Sequence, residues 1–219
     1  MLRNFAIGLG VVAALAVAAN LQAQGPGGRG GMMGGQRGSL LMLLQNEQVQ
    51  KEIELVADQK EKVTALNKET QDARAAARAD MANLSQEERQ AKMKEAAEKT
   101  EKKVEGILNP KQLKRMEQIQ LQVQGGVALS NPKVVKALAL TDDQQAKIKT
   151  INDDSRKAMA DMRSGGGPPS DEDRAKMQKS MKETETKLMD VLTADQKGKL
   201  EKMKGEKFDT SVLRGGPRE

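Results

Sequence analysis

The sequence contains no cysteine, no histidine, no tryptophan and no tyrosine, and only two phenylalanines among 219 residues. Each absence closes off a class of function. Without cysteine there is no disulfide, no thiol nucleophile and no thiol for lipid attachment. Without histidine the commonest general base and transition-metal ligand is missing. With so few aromatic rings there is no platform on which nucleic-acid bases stack. A core made from this composition consists of Leu, Ile, Val, Met and Ala. With 37% hydrophobic and 31% charged residues, apolar surface suffices for thin helical layers and not for a thick globular core.

The formal charge of +6 raises the question of a polyanionic partner. Residues 43–124 carry 15 basic and 15 acidic side chains, and residues 128–209 carry 17 and 15. Most of the excess lies outside these stretches, at Arg3, Arg29, Arg37, Arg214 and Arg218. A near-neutral body offers no basic groove, so no nucleic-acid partner is expected.

The two ends read differently from the body. Residues 1–23 have Arg3, an apolar run from Phe5 to Ala19 and then small residues, the pattern of a secretory signal peptide cleaved after Ala23 or Ala18. The run is 15 residues, short of the roughly 20 that cross a bilayer. An uncleaved anchor is the alternative. A periplasmic or secreted location follows, with no stable membrane insertion after cleavage. Residues 24–38 are glycine-rich and read as a disordered tail. Residues 210–219 read as a flexible C-terminal tail, and "SGGGPP" at 164–169 as a spacer.

The body is duplicated. "NEQVQKEIELVADQKEKV" from Asn46 aligns with "NPKVVKALALTDDQQAKI" from Asn131, an offset of 85 residues. Val49 pairs with Val134, Leu55 with Leu140, and Gln59 with Gln144. "SQEER" at Ser85 meets "SDEDR" at Ser170. After one deleted residue, "ILNPKQLKRMEQI" from Ile107 meets "VLTADQKGKLEKM" from Val191. The halves are residues 39–124 and 128–209.

Both halves show helical periodicity. Val63, Leu66, Thr70, Ala73, Ala77, Met81 and Leu84 fall at alternating spacings of three and four, one stripe of a helix. Met93, Ala97, Thr100, Val104 and Ile107 make a second stripe. Ile148, Ile151, Ser155, Met159 and Met162, then Met177, Met181, Thr184, Leu188 and Val191, repeat them. No stretch alternates like a strand. Gly106, Gly198 and Gly205 fall within helical runs and weaken them by about 1 kcal/mol each.

The helices announce their starts. Thr141 is a good N-cap and Gln144, three residues on, can reach back to the Thr141 N–H, which makes a capping box. Thr193 and Gln196 repeat it. Asn109, Pro110 and Gln112 form a variant with proline at the first helical position. Ser85 with Glu88 is another box, and Asn131 with Pro132 starts a short helix. Where the second half has Thr141, the first has Val56. Valine cannot cap, so that helix is expected to run through from about Glu47. Leu55, Leu108, Leu140 and Leu192, each just before a start, are expected to pack into the core. Capping accounts for Thr and Gln without catalysis.

The pentads Leu140-Thr141-Asp142-Asp143-Gln144 and Leu192-Thr193-Ala194-Asp195-Gln196 resemble the paired LTxxQ motifs of the Spy/CpxP family of periplasmic proteins. The first half keeps only Leu55 with Gln59 and Leu108 with Gln112, and the chain lacks the histidines of metal-binding members. The resemblance implies a small exported all-helical protein, a curved bundle with one concave face, acting as an ATP-independent chaperone or as a sensor feeding a two-component system.

The acidic runs Asn152–Ser155 and Asp171–Asp173 lack the glycine and ligand spacing of a calcium loop. They read as helix starts and solvated faces, with a weak cation site as the alternative. No catalytic residue, metal site or cofactor is expected. The expected fold is all-α, an elongated helical hairpin bundle of two tandem modules, each with a short lead helix, a long hairpin and a closing helix. The expected function is that of a holdase-type chaperone for unfolded clients. An adaptor of an envelope-stress sensor and a structural spacer are the alternatives. Met159, Met162, Met177 and Met181 are the candidate client surface, because methionine adapts to varied partners. The short join "QGGVALSN" at 124–131 points to a monomer in which the two copies form a pseudo-dimer.

Overall fold

The computed structural model describes residues 38–163 and 170–214. The expected signal peptide, residues 24–37 of the glycine-rich tail, the 164–169 spacer and residues 215–219 lie outside them. Among the described residues the chain is all-α. The first copy comprises α1 (Leu40–Leu43), α2 (Glu47–Glu52), α3 (Ala57–Ala82), α4 (Gln86–Ile107) and α5 (Pro110–Gln124). A 3-10 segment, Gly125–Ser130, leads into α6 (Pro132–Leu138), α7 (Asp142–Arg163), α8 (Asp171–Asp190) and α9 (Ala194–Lys204), and a second 3-10 segment spans Thr210–Arg214.

Polar caps start most of these helices. Ser39, Asn46, Ser85, Asn109, Asn131, Ser170 and Thr193 each accept a backbone N–H from the first turn of the helix that follows. Thr141 does the same for α7, its hydroxyl accepting from Gln144 N–H at 3.2 Å. Each satisfies one of the four N–H groups a helix start leaves open.

The expected run-through from Glu47 does not occur. The chain breaks between α2 and α3, and Val56 stands at a helix start with no side-chain hydrogen bond. The stop comes from upstream. Glu54 adopts φ +53, its N–H bonds Lys51 O at 3.0 Å, and Leu55 N–H bonds Gln50 O at 2.9 Å. This is a Schellman ending, with a left-handed residue that is not glycine. Ala139, the counterpart of Glu54, adopts φ +50 with the same two bonds, Ala139 N–H to Lys136 O and Leu140 N–H to Val135 O. In both copies the reversal drives the following leucine, Leu55 or Leu140, into the core.

Each copy has its own core. In the first, Leu40, Leu43, Leu44, Val49, Ile53, Val63, Leu66, Val104, Met116 and Ile119 pack together. In the second, Leu129, Val134, Leu138, Ile148, Leu188 and Leu200 do so. The copies also exchange material. Leu121, from α5, lies in the second core. Phe208 lies in the first, with Val212 and Leu213 packed beside it. The segment expected as a flexible tail from residue 210 therefore begins as a docked 3-10 turn, because those two apolar side chains find the first core. Gly205 is likewise not inside a helix. It ends α9 at φ +62, a conformation L side chains rarely adopt.

The long helices form two hairpins, α3 with α4 and α7 with α8, that project beyond these cores. From Asn67 to Lys103 no residue is buried, and the same holds for the described residues from Asp153 to Lys187. The apolar stripes are present, but only their inner ends are enclosed. Met81 and Leu84 are half-buried and Met93 is exposed. Two helices facing each other through Ala, Thr and Met have no third layer to cover them. Beyond Leu66, the outer part of α3 extends about 24 Å at 1.5 Å per residue.

Candidate functional site

The glutamines of the motifs meet. In the first copy, Gln59 Nε2 donates to Gln112 Oε1 at 2.8 Å, and Gln112 Nε2 donates back to Gln59 Oε1 at 2.9 Å. In the second, Gln144 and Gln196 exchange the same pair of bonds at 2.7 and 3.0 Å. Helix starts 52 or 53 residues apart are brought side by side at the root of each hairpin.

Every polar position of these four amides is used. Gln112 Oε1 also accepts from its own cap, Asn109 N–H, at 3.0 Å, and its Nε2 also donates to Glu54 O at 3.3 Å. Gln59 accepts from Val56 N–H at 3.3 Å and donates to Ile107 O at 2.8 Å. Gln144 accepts from Thr141 N–H and donates to Val191 O. Gln196 accepts from Thr193 N–H and donates to Leu138 O. An amide offers two donors and two acceptor lone pairs, and all are filled from within the chain. Each glutamine thus caps its own helix, ties to its partner and donates to a carbonyl near the end of the helix before the partner motif. Glutamate at these positions has no donor and would place two carboxylates in contact.

The leucines complete the junction. Leu55, Leu108, Leu140 and Leu192 are all buried. Gln112 is itself only 6% exposed. A saturated amide set into apolar surroundings has no donor or acceptor left to recognise a ligand, so the pentad is a structural joint. Capping alone, as read from the sequence, missed the pairing. One signal pointed to it: the first copy has Val56 where the second has the capping Thr141, yet both carry a glutamine three residues on, Gln59 and Gln144.

The four candidate methionines lie on the outer part of the second hairpin. Met159 and Met177 are half-buried, Met162 is 37% exposed and Met181 56%. Met93, on the first hairpin and not among the candidates, is 42% exposed. These side chains lie on arms held by few cross-links. Thr184 donates to Ser155 Oγ at 3.3 Å, and Lys103 pairs with Glu69.

The acidic runs are occupied structurally. Asn152 is buried and donates to Ser130 Oγ at 2.9 Å. Asp153 pairs with Lys149 and Arg156. Asp173 closes a capping box on Ser170, whose hydroxyl and N–H hold its carboxyl below the ordinary range. Among the described residues no group of three or more acidic side chains is placed to hold a metal ion.

One charged cluster links the copies. Lys133, at the start of α6, pairs with Glu105 of α4 at 3.0 Å and with Glu117 of α5 at 3.2 Å. Burial pushes the neighbouring Glu101 carboxyl above its usual value, against the pull of Lys133 and with a further push from Glu105, Glu117 and Glu98.

Fold and junctions together define a class: an all-α protein of two tandem helical hairpins, each locked at its root by a reciprocal glutamine pair. Residues 130–200 match the model of a family described as "Domain of unknown function (DUF4890)". That span runs from the 3-10 segment's last residue into α9, so it takes in both complete pentads and leaves the first copy outside. No curated protein matches the chain, and no solved structure does.

Proposed function

We propose that this is an exported, ATP-independent chaperone of the holdase type, binding unfolded or partly folded clients on its hairpin arms without chemistry. The observation that carries this reading is the pair of projecting arms, which present Met93, Met162 and Met181 to solvent amid charge of both signs. Unbranched, polarizable methionines fit clients of varied shape, and the interspersed charges keep the empty arm soluble. The saturated glutamine joints hold the arms from below and leave the binding work to them. Resemblance of the pentads to the Spy/CpxP family supports export and the chaperone role, and the exchange of Leu121 and Phe208 between cores supports action as a monomeric pseudo-dimer.

The test is suppression of aggregation for several unrelated clients at near-stoichiometric ratios. Protection of most of them is expected. Protection of none sinks the chaperone reading. It would leave that of an adaptor for a single envelope partner.

A further inference from the structure

The chain end after α9 is held in an unusual way. Residues 204–214 cross from the second copy onto the first as a strap. Every hydrogen bond described between them and the first copy is made to the strap's main chain. Arg115 Nη1 donates to Glu206 O at 2.8 Å. Gln122 Nε2 donates to Lys204 O and Glu206 O, both at 2.7 Å, and Gln122 Oε1 accepts from Phe208 N–H at 2.7 Å. Asn46 Nδ2 donates to Val212 O at 3.3 Å.

Gln122 therefore pairs with a carbonyl and an N–H two residues apart, the groups an extended segment turns to one side. It acts on the strap as a neighbouring strand would. Among the described strap side chains, Phe208 is buried in the first core, with Val212 and Leu213 packed beside it. Lys207 is exposed, and Asp209 accepts Ser211 N–H at 3.0 Å within the strap. An open polar cleft lies between Gln48, Lys51 and Glu52 of α2 and Lys207 and Asp209 of the strap. Main-chain recognition plus a few apolar anchors, Phe208 foremost, reads the class of a segment and not its full sequence.

We propose that this face of α2 and α5 is a docking groove for peptide segments that present a short extended stretch around an aromatic or branched apolar anchor, and that the strap fills it in cis until such a segment competes. The proposal deepens the chaperone reading and rests on it for the nature of the partner. Gly205 supplies the bend at which the strap leaves α9.

The probe is a fluorescent peptide of residues 204–214, and the protein is the full chain carrying Phe208→Ala, which loosens the strap. The peptide is expected to bind this variant at least about tenfold more tightly than the unaltered chain, the equivalent of about 1.4 kcal/mol. A shuffled peptide that keeps Phe208, Val212 and Leu213 in place binds within about threefold, because the rest of the segment is read through its main chain. Adding Gln122→Ala weakens binding by about tenfold, as the loss of a paired amide does. Absence of binding to the variant overturns the proposal, and so does binding restricted to the unshuffled sequence, which would make the strap a closure specific to itself. If Phe208→Ala fails to fold, excess peptide is added to the unaltered chain and hydrogen exchange is followed at 206–213. Faster exchange supports displacement, and unchanged exchange overturns it. The two readings fail separately. Client protection without peptide binding removes the groove and leaves the arms, whereas peptide binding without client protection leaves a groove and no chaperone.

Discussion

The two copies differ where the second begins α7 with Thr141 and the first begins α3 with Val56, and they agree in the glutamine three residues on. If capping were the purpose, losing the threonine would free the glutamine to change. Instead Gln59 makes the same exchange with Gln112 that Gln144 makes with Gln196. The lead segments differ as well. Leucine-rich α1 in the first copy corresponds to the glycine-bearing 3-10 segment Gly125–Ser130 in the second. There a Cβ on Gly126 would stand 2.8 Å from Glu185 Oε2 and 2.9 Å from Leu188 Cδ1, so any larger residue would push these two side chains aside. Helix type in the lead can vary; the paired joint is common to both copies.

Breaking the joint should have the largest effect. Gln112→Ala strips the buried partner from Gln59, and a loss of about 1–3 kcal/mol is expected, the cost of one unsatisfied buried group. Gln196→Ala should cost somewhat less, since its amide is only half-buried. Denaturant unfolding of both checks this. A cost within a few tenths of a kcal/mol would make the pairing incidental.

The capping difference should be smaller and of opposite sign in the two copies. Thr141→Ala is expected to lose about 1 kcal/mol, and Val56→Thr to gain up to about 1 kcal/mol. Val56 is 58% exposed at a helix start, so the new hydroxyl meets no packing conflict. Thermal melts of both variants, and of the pair combined, would show whether the first copy can be brought level with the second.

The shared Schellman endings offer a symmetrical test. Glu54→Gly and Ala139→Gly relieve left-handed conformations and should each stabilise by about 0.5–1 kcal/mol. Destabilisation by either would mean that the side chain contributes something the geometry does not show.

The smallest effect concerns charge. Glu101, in the first copy, has a folded-state pKa raised by burial, so its ionised form is the disfavoured one. Its contribution to stability is full below the unfolded pKa and is lost as pH rises through the folded value. Glu101→Gln should therefore stabilise the chain slightly at pH 7, and the gain should fade as pH drops through the carboxylate range. The aligned Glu185 accepts Gly126 N–H at 2.6 Å, and Glu185→Gln should not give that gain.

Much of the fold was legible because it is written locally. Asn109-Pro110, Ser85 with Glu88, and Thr193 with Gln196 mark helix starts through bonds spanning three residues. The duplication supplied the order of elements twice. What escaped the sequence is long-range or against propensity. The glutamine pairs join residues 52 or 53 apart and depend on the hairpin folding back. Nothing in Glu54 signals a left-handed turn, since glutamate favours helix. Phe208 was visible as the one aromatic of the body, but its burial in the other copy's core depends on how the copies pack. The methionine stripe was legible as a periodicity and as a candidate surface; that Met159 and Met177 are half-buried was not, because it depends on how the two helices of the arm face each other.

The central claim is a division of labour: paired glutamines hold the hairpin roots, and the methionine arms do the binding. It is tested most directly by measuring client protection with two variants side by side, at a temperature where circular dichroism shows both folded. One is Gln196→Ala; the other replaces Met159, Met162, Met177 and Met181 with serine. The expected result is that the methionine variant loses most of its protection, while Gln196→Ala melts earlier but protects as well as the unaltered chain. A folded Gln196→Ala chain that no longer protects, beside a methionine variant that does, would place the binding site at the pentads and contradict the division.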